Sequence, residues 1–194
     1  MIRQRVSEQW SDEQLAEIYA GPHDHRVLSP GHDVRIEATV WIAKFLYWPD
    51  RPNSVGDLSC GNGYIANELK AQKTYLGDFA PGFEFCGPIS QTIHEIPEID
   101  LFICAETLEH LWEPDEALTL IRDKADKLVA SVPLVNDPSE EQNGEHYWAF
   151  DREGAEQMFI ENGWTLTRLF AEVPAAPGSF YQTYRCGIWG MEKS

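Results

Sequence analysis

Residues 53–58 read as a short β-strand that runs into a turn carrying two glycines, Gly61-Asn62-Gly63, and residues 64–71 read as a helix that begins at once. A strand, a glycine turn and a helix in so few residues admit few folds. Glycine has no Cβ, so the backbone can turn tightly there and approach a ligand where a side chain would clash. The helix presents unpaired N–H groups at its start. The same alternation continues along the chain. Residues 74–77 and 83–86 are short strands, and 99–104 (Ile-Asp-Leu-Phe-Ile-Cys) is a strongly apolar, buried one. Pro114 suits the first position of a helix over 114–125, with Asp115 and Glu116 at its positive end and Arg122, Lys124 and Lys127 near or beyond its negative end. Residues 128–132 are a strand, Asp151 caps a helix that ends at Gly163, and 164–170 with 184–189 form a closing pair of strands. Such alternation predicts an α/β fold with a mostly parallel, doubly wound sheet and right-handed crossovers.

Residues 1–52 differ from the rest. They hold 6 basic and 8 acidic residues, against 9 and 24 in residues 53–194. They form an N-terminal helical arm beside the main domain, 53–194. Ser11-Asp12-Glu13-Gln14 fits a capping box before an apolar face of Leu15, Ile18 and Tyr19, and Gly21-Pro22 ends that helix. A second helix over 34–47 carries Ile36, Val40, Ala43 and Tyr47 on one stripe, with Pro49 beyond it. His23, His25 and His32, with Asp24 and Asp33, match no common zinc spacing, so no metal is expected from them.

Over all 194 residues, 15 Lys and Arg face 32 Asp and Glu, a net charge of −17. That excess counts against nucleic acid and anionic membranes as partners, because phosphates are bound by clustered Lys and Arg. Between residues 74 and 121 there is no Lys or Arg, yet there are ten acids. No apolar run approaches the ~18 residues that span a bilayer. Cys60, Cys86, Cys104 and Cys186 form no C-x-x-C pair, and three lie in apolar runs, as reduced structural thiols do. With no secretory apolar segment in residues 1–7, a cytoplasmic location is expected.

In a doubly wound sheet, ligands bind beyond the carboxyl ends of the strands at the switch point. Three strand ends carry polar residues there. The first is Asp57-Leu58-Ser59-Cys60-Gly61-Asn62-Gly63-Tyr64. The second is Asp78, an acid 17 positions after Gly61, which suits a pair of ribose hydroxyls. The third is Cys104-Ala105-Glu106-Thr107-Leu108-Glu109-His110-Leu111, which should place Glu106 and His110 over one crevice.

Together these segments resemble the Rossmann-like (class I) S-adenosylmethionine-dependent methyltransferases. The first resembles their D-x-G-x-G-x-G loop, with Ser59 in place of the first glycine. Asp78 matches their ribose-binding acid. The third is similar to their V-L-E-H-L segment, and His146-Tyr147-Trp148-Ala149-Phe150-Asp151-Arg152-Glu153-Gly154, followed by Glu161-Asn162-Gly163-Trp164, to their segment after the fifth strand. The resemblance implies a seven-stranded or reduced sheet with an antiparallel C-terminal strand. It implies S-adenosylmethionine as cofactor, held by Asp57, Ser59, Cys60, Gly61, Gly63, Asp78, Phe79, Pro88, Ile89, Ala105 and Glu106. The chain departs from the family in two further places. Only residues 79–82 separate Asp78 from Phe83, so the usual helix is absent or reduced to a turn. Gly87-Pro88-Ile89-Ser90 stands where an acid or amide normally reaches adenine, which leaves adenine to Pro88 and Ile89.

Gly61-Asn62-Gly63-Tyr64-Ile65-Ala66 also satisfies the G-x-G-x-x-A pattern of an NAD(P)-binding oxidoreductase. Asp57 would repel a pyrophosphate, whereas it suits the cationic amino group of S-adenosylmethionine, and the base-free stretch favours a sulfonium over a polyphosphate. A third reading is a methyltransferase-like fold used for binding or regulation. For an active enzyme, His146, Glu106 and His110 are the candidate bases, and the arm is a lid with Tyr19, Trp41 and Tyr47 as core or pocket wall. No [D/N/S]-P-P-[Y/F/W] segment follows the fourth strand, which with the acidic charge leaves a small-molecule acceptor. An anionic acceptor would draw its countercharge from Arg26 and Arg35.

Overall fold

A computed structural model describes residues 1–21, 32–174 and 185–194. The elements run β1 (Arg3–Arg5), α1 (Asp12–Ile18), α2 (His32–Leu46), β2 (Ser54–Asp57), α3 (Tyr64–Glu68), β3 (Lys73–Asp78), β4 (Phe85–Cys86), α4 (Ile89–Thr92), β5 (Ile99–Ala105), α5 (Pro114–Lys124), β6 (Ala125–Leu134), β7 (Trp148–Phe150), α6 (Arg152–Glu161), β8 (Trp164–Pro174) and β9 (Arg185–Lys193). Seven strands form one sheet in the order β4-β3-β2-β5-β6-β9-β8. β2 pairs in parallel with both β3 and β5, and only β9 runs against its neighbours β6 and β8. The chain leaves β2 toward β3 on one side and returns on the other at β5. The switch point therefore lies between β2 and β5, as expected for a doubly wound sheet.

Side-chain alternation along β5 builds the two faces of the core. Phe102 and Cys104 pack with Leu118, Ile121, Phe159 and Trp164 under α4, α5 and α6. Leu101 and Ile103 point the other way, to Val40, Ala43 and Leu46 of α2 and Ala66 of α3. Both faces of a mostly parallel sheet are thus covered, which is why β5 reads as a continuous apolar run. α2 is one of the covering layers, although its residues lie in the charge-balanced N-terminal stretch. Its outer side exposes Val34, Trp41 and Phe45.

Helix ends follow local chemistry. The Ser11–Gln14 capping box is present at α1, and Asp151 caps α6 by accepting from Gly154 N at 2.7 Å. α5 begins at Pro114 with its acids first and its bases last. α3 ends at Glu68, earlier than residue 71, because Lys70 takes a left-handed φ of 52°. Between Asp78 and Phe85 the chain makes only turns. β1 was not signalled by the sequence. It pairs antiparallel with β7 and lies against α6, where the Ile2 carbonyl fits over Gly154 with no room for a Cβ. No helix among the described residues is long and apolar enough to cross a membrane.

Candidate functional site at the carboxyl ends of the strands

The turn after β2 is held from below and from the side. Gly61 and Gly63 adopt φ of 56° and 74°, a region that favours glycine, and a Cβ on Gly63 would press into Leu76. Cys60 N donates to Gly77 O and Gly63 N to Cys60 O. Ser59 has no positive φ, so glycine is not required there. Its Oγ lies 2.7 Å from Thr107 Oγ1, which donates to Ala105 O, so the Ser59 hydroxyl is the donor that ties the glycine loop to the end of β5.

Two carboxylates flank this loop. Asp78, at the end of β3, accepts from Gly61 N at 2.8 Å on one oxygen and from Ala80 N at 2.9 Å on the other. A carboxylate has about four acceptor sites, so each oxygen keeps one for a ligand. Asp57 is 3% exposed and accepts from Ser59 N at 3.3 Å. Burial, with the charge of Asp78 adding to it, pushes its carboxyl up to about 8. Such a group becomes fully ionised only beside a cation or at alkaline pH. Phe79 follows Asp78, and its ring sits 5.5 Å from that of Tyr19 at the end of α1. Pro88 precedes α4, while Ile89 is buried in the core.

The segment after β5 does not act as one group. Glu106 has a left-handed φ of 54°, and its side chain turns away to β6 and β9. It accepts from Ser131 Oγ and Cys186 Sγ, both at 3.0 Å, and lies 4.0 Å from Arg35 Nε, with both side chains 6% exposed. Arg35 Nε also donates to His32 Nδ1 at 3.3 Å. Burial and the Arg35 charge push the His32 imidazole down. Of the two arginines considered for an anionic acceptor, Arg35 faces Glu106, and Arg26 lies outside the described residues, as do His23 and His25.

His110 goes elsewhere. Its ring meets that of His146 edge-on at 4.6 Å, and its Nδ1 lies 3.1 Å from Glu145 O and 3.5 Å from the Tyr19 hydroxyl. The sequence pattern placed Glu106 and His110 together; the structure instead gathers His110, His146 and Glu109. Glu109 was not singled out from sequence. It is fully buried, and neither carboxylate oxygen has a hydrogen-bond partner. Burial, with the Glu106 charge adding to it, pushes its carboxyl well above the usual carboxylate range. The sequence signal that could have found it is an acid directly before a histidine in a segment otherwise buried. Tyr19 joins the two halves of the region: its ring is beside Phe79 and its hydroxyl beside His110.

No protein-family model and no curated protein sequence matches the chain. Solved structures do. The N-methyltransferase NodS from Bradyrhizobium japonicum WM9, in complex with S-adenosyl-l-homocysteine, superposes with a TM-score of 0.68 at 14% identity, over 93% of this chain and 97% of that one. The [4+2]-cyclase SpnF gives 0.66 at 12% identity, over 91% and 87%. The magnesium protoporphyrin IX methyltransferase ChlM from Synechocystis PCC 6803, with bound S-adenosyl-l-homocysteine, gives 0.59 at 14% identity, over 94% of each. With its strand order, its glycine loop after the first sheet strand and its acid after the second, the chain has the Rossmann-like fold of class I S-adenosylmethionine-dependent methyltransferases.

Proposed function

We propose that the protein binds S-adenosylmethionine at the ends of β2, β3 and β5 and transfers its methyl group to a small-molecule acceptor. The observation that carries this reading is the pair of carboxylates around the glycine loop, Asp57 buried beneath it and Asp78 pinned to Gly61, Asp78 standing in the stretch 74–121 that has no Lys or Arg. A buried acid beside the loop disfavours a pyrophosphate and suits a cation. Asp78 would hold the ribose hydroxyls, Asp57 the ammonium, and the backbone of 59–63 the amino-acid moiety. Phe79 and Pro88 would flank the adenine, and Ala105 with the Glu106 backbone would close the floor.

The sulfonium is an activated leaving group, so its methyl carbon passes to the acceptor as the carbon–sulfur bond breaks. The chain's own task is alignment and exclusion of water. Tyr19 and Phe79 would cover the crevice, and His110 and His146 would face the acceptor, with one of them able to take its proton. Glu106, already held by Ser131, Cys186 and Arg35, is better placed to fix α2 on the sheet than to act as a base.

Calorimetry with S-adenosylmethionine and S-adenosylhomocysteine tests the reading. Saturable one-to-one binding, weakened at least tenfold in Asp78→Ala, is expected. A screen of small molecules with methyl-labelled donor then identifies the acceptor. No binding at millimolar ligand would overturn the proposal. Binding without transfer to any acceptor would instead favour a regulatory use of the fold.

A further inference from the structure

Glu109 is the one acid among the described residues with both oxygens buried and without a hydrogen-bond partner. Leaving a carboxylate so placed is costly, by several kcal/mol, unless a cation or a proton compensates it. The groups beside it are metal-ligand types. One donor atom each from Glu109, His110 and His146 lie within 4.8 Å of one another. Ligands of a small divalent cation, each at ~2.0–2.2 Å from it, sit roughly 3–3.6 Å apart. Rotamer adjustments on the order of 1 Å therefore close the set.

The hydrogen bonds of the two histidines fix their tautomers. A carbonyl can only accept, so His110 Nδ1 carries the proton and donates to Glu145 O at 3.1 Å, which directs Nε2, 3.9 Å from Glu109 Oε1, with its lone pair. Backbone carbonyls fix metal-binding histidines in this way. For His146, Asn143 Oδ1 is taken by Glu145 N, so the Asn143 amide N–H is what faces His146 Nε2, at 2.9 Å. The lone pair is thus on Nε2, and that hydrogen bond is the one a cation would replace. His146 Nδ1 lies 2.9 Å from Glu141 Oε2, close but off the line of a good hydrogen bond, and a small turn of the ring would make Glu141 its acceptor.

We propose that Glu109, His110 and His146 bind one divalent transition-metal cation, with Glu141 and the Glu145 carbonyl positioning the histidines around it. Two imidazoles and one carboxylate suit Zn²⁺, Fe²⁺, Mn²⁺ or Co²⁺ and leave a coordination position open for a ligand. Tyr19 links this cluster to Phe79, the residue after Asp78 at the proposed donor site. The site stands on its own geometry. One consequence rests on the methyltransferase reading: the acceptor is then a hydroxyl compound whose oxygen ligates the cation and whose proton passes to solvent water, so that the histidines serve as ligands in place of the base role given them above.

The test uses purified full-length protein stripped with chelator and titrated with ZnCl₂, MnCl₂ or CoCl₂ by calorimetry, with the visible spectrum of the Co²⁺ form as second readout. The expected result is one ion per chain and an affinity reduced at least 100-fold in Glu109→Gln and in His146→Ala. His94→Ala, at an exposed histidine, should bind as wild type. If Glu109→Gln does not fold, His110→Ala replaces it, since His110 is at the edge of the cluster. Absence of binding for all three metals at 100-fold excess, or binding that survives these substitutions, overturns the proposal. Because S-adenosylhomocysteine binding is measured separately, failure here is distinguishable from failure of the donor site.

Discussion

The main-chain N–H of Gly61 donates to Oδ2 of Asp78 at 2.8 Å, so the acid that ends β3 holds the glycine loop after β2. One carboxylate thereby shapes the loop and would bind the ribose. Asp78→Ala loses both functions and also leaves Ala80 N without its acceptor. Donor affinity should fall by at least tenfold, and stability by about 1.5–3 kcal/mol, the usual range for a hydrogen bond to a charged group. Asp78→Asn keeps one acceptor oxygen and should fall between. Calorimetry and urea unfolding of the three proteins measure this; equal donor affinities would remove Asp78 from the site.

Asp57 ties donor binding and stability to pH. Its folded value is about 8, against ~3.9 for an unfolded aspartate. The folded state thus keeps a proton that the unfolded chain releases. The stabilising contribution is fully present below ~4, declines as pH rises and is gone above ~8. Urea unfolding from pH 5 to 8 should show wild type losing more stability than Asp57→Asn, at most ~1.4 kcal/mol per pH unit. A ligand ammonium would reverse the preference and expel the proton. Calorimetry at pH 6.5 in buffers of different ionisation enthalpy should then register proton release in wild type only. Parallel stability curves for both proteins would refute the buried-acid assignment.

The sheet was legible because its signals are local. Alternating burial in β5, Pro114, the Asp151 cap and the glycine turn each act within a few residues, and all agree on one fold. The missing helix after Asp78 followed from counting. Ser59 looked like a defect in the loop, but its hydroxyl bonds Thr107, a partner 48 positions away that no local pattern announces. β1 escaped because three polar residues, Arg3-Gln4-Arg5, carry no apolar alternation. Its support is tertiary: Arg3 pairs with Asp115 and Glu161, and Arg5 lies 3.6 Å over Trp112. The Glu109, His110 and His146 cluster escaped for a related reason. Its histidines are far apart in sequence, and short of burial only the adjoining His110 distinguishes Glu109 from Glu106.

Arg35 and Glu106 form a buried pair between α2 and the end of β5. Removing one partner of such a pair typically costs about 3–5 kcal/mol, because the other charge stays buried. Arg35→Met should destabilise the protein by that order, and Arg35→Met with Glu106→Gln should recover much of the loss. Chemical unfolding of the double-mutant cycle measures the coupling. Additive losses would mean that the two charges act independently.

Gly154 tests whether β1 belongs to the folded body. A Cβ there would collide with the Ile2 carbonyl, which itself accepts from Asp151 N at 2.9 Å. The collision is with backbone, so no side-chain rotation relieves it. Gly154→Ala would otherwise favour the helix by up to ~1 kcal/mol, since alanine is the better helix former. Overpacking against rigid atoms costs about 1–3 kcal/mol, so the clash should win. The net effect should be a melting temperature lower by a few degrees, at roughly 2–4 °C per kcal/mol for a chain of this size. It should also release the Met1 ammonium from Asp151 and Glu153. Hydrogen exchange should quicken at the β1–β7 pairing while the main sheet stays protected. A variant with a raised melting temperature and unchanged exchange at Arg3–Arg5 would show that the N-terminal strand does not pack on α6 in solution.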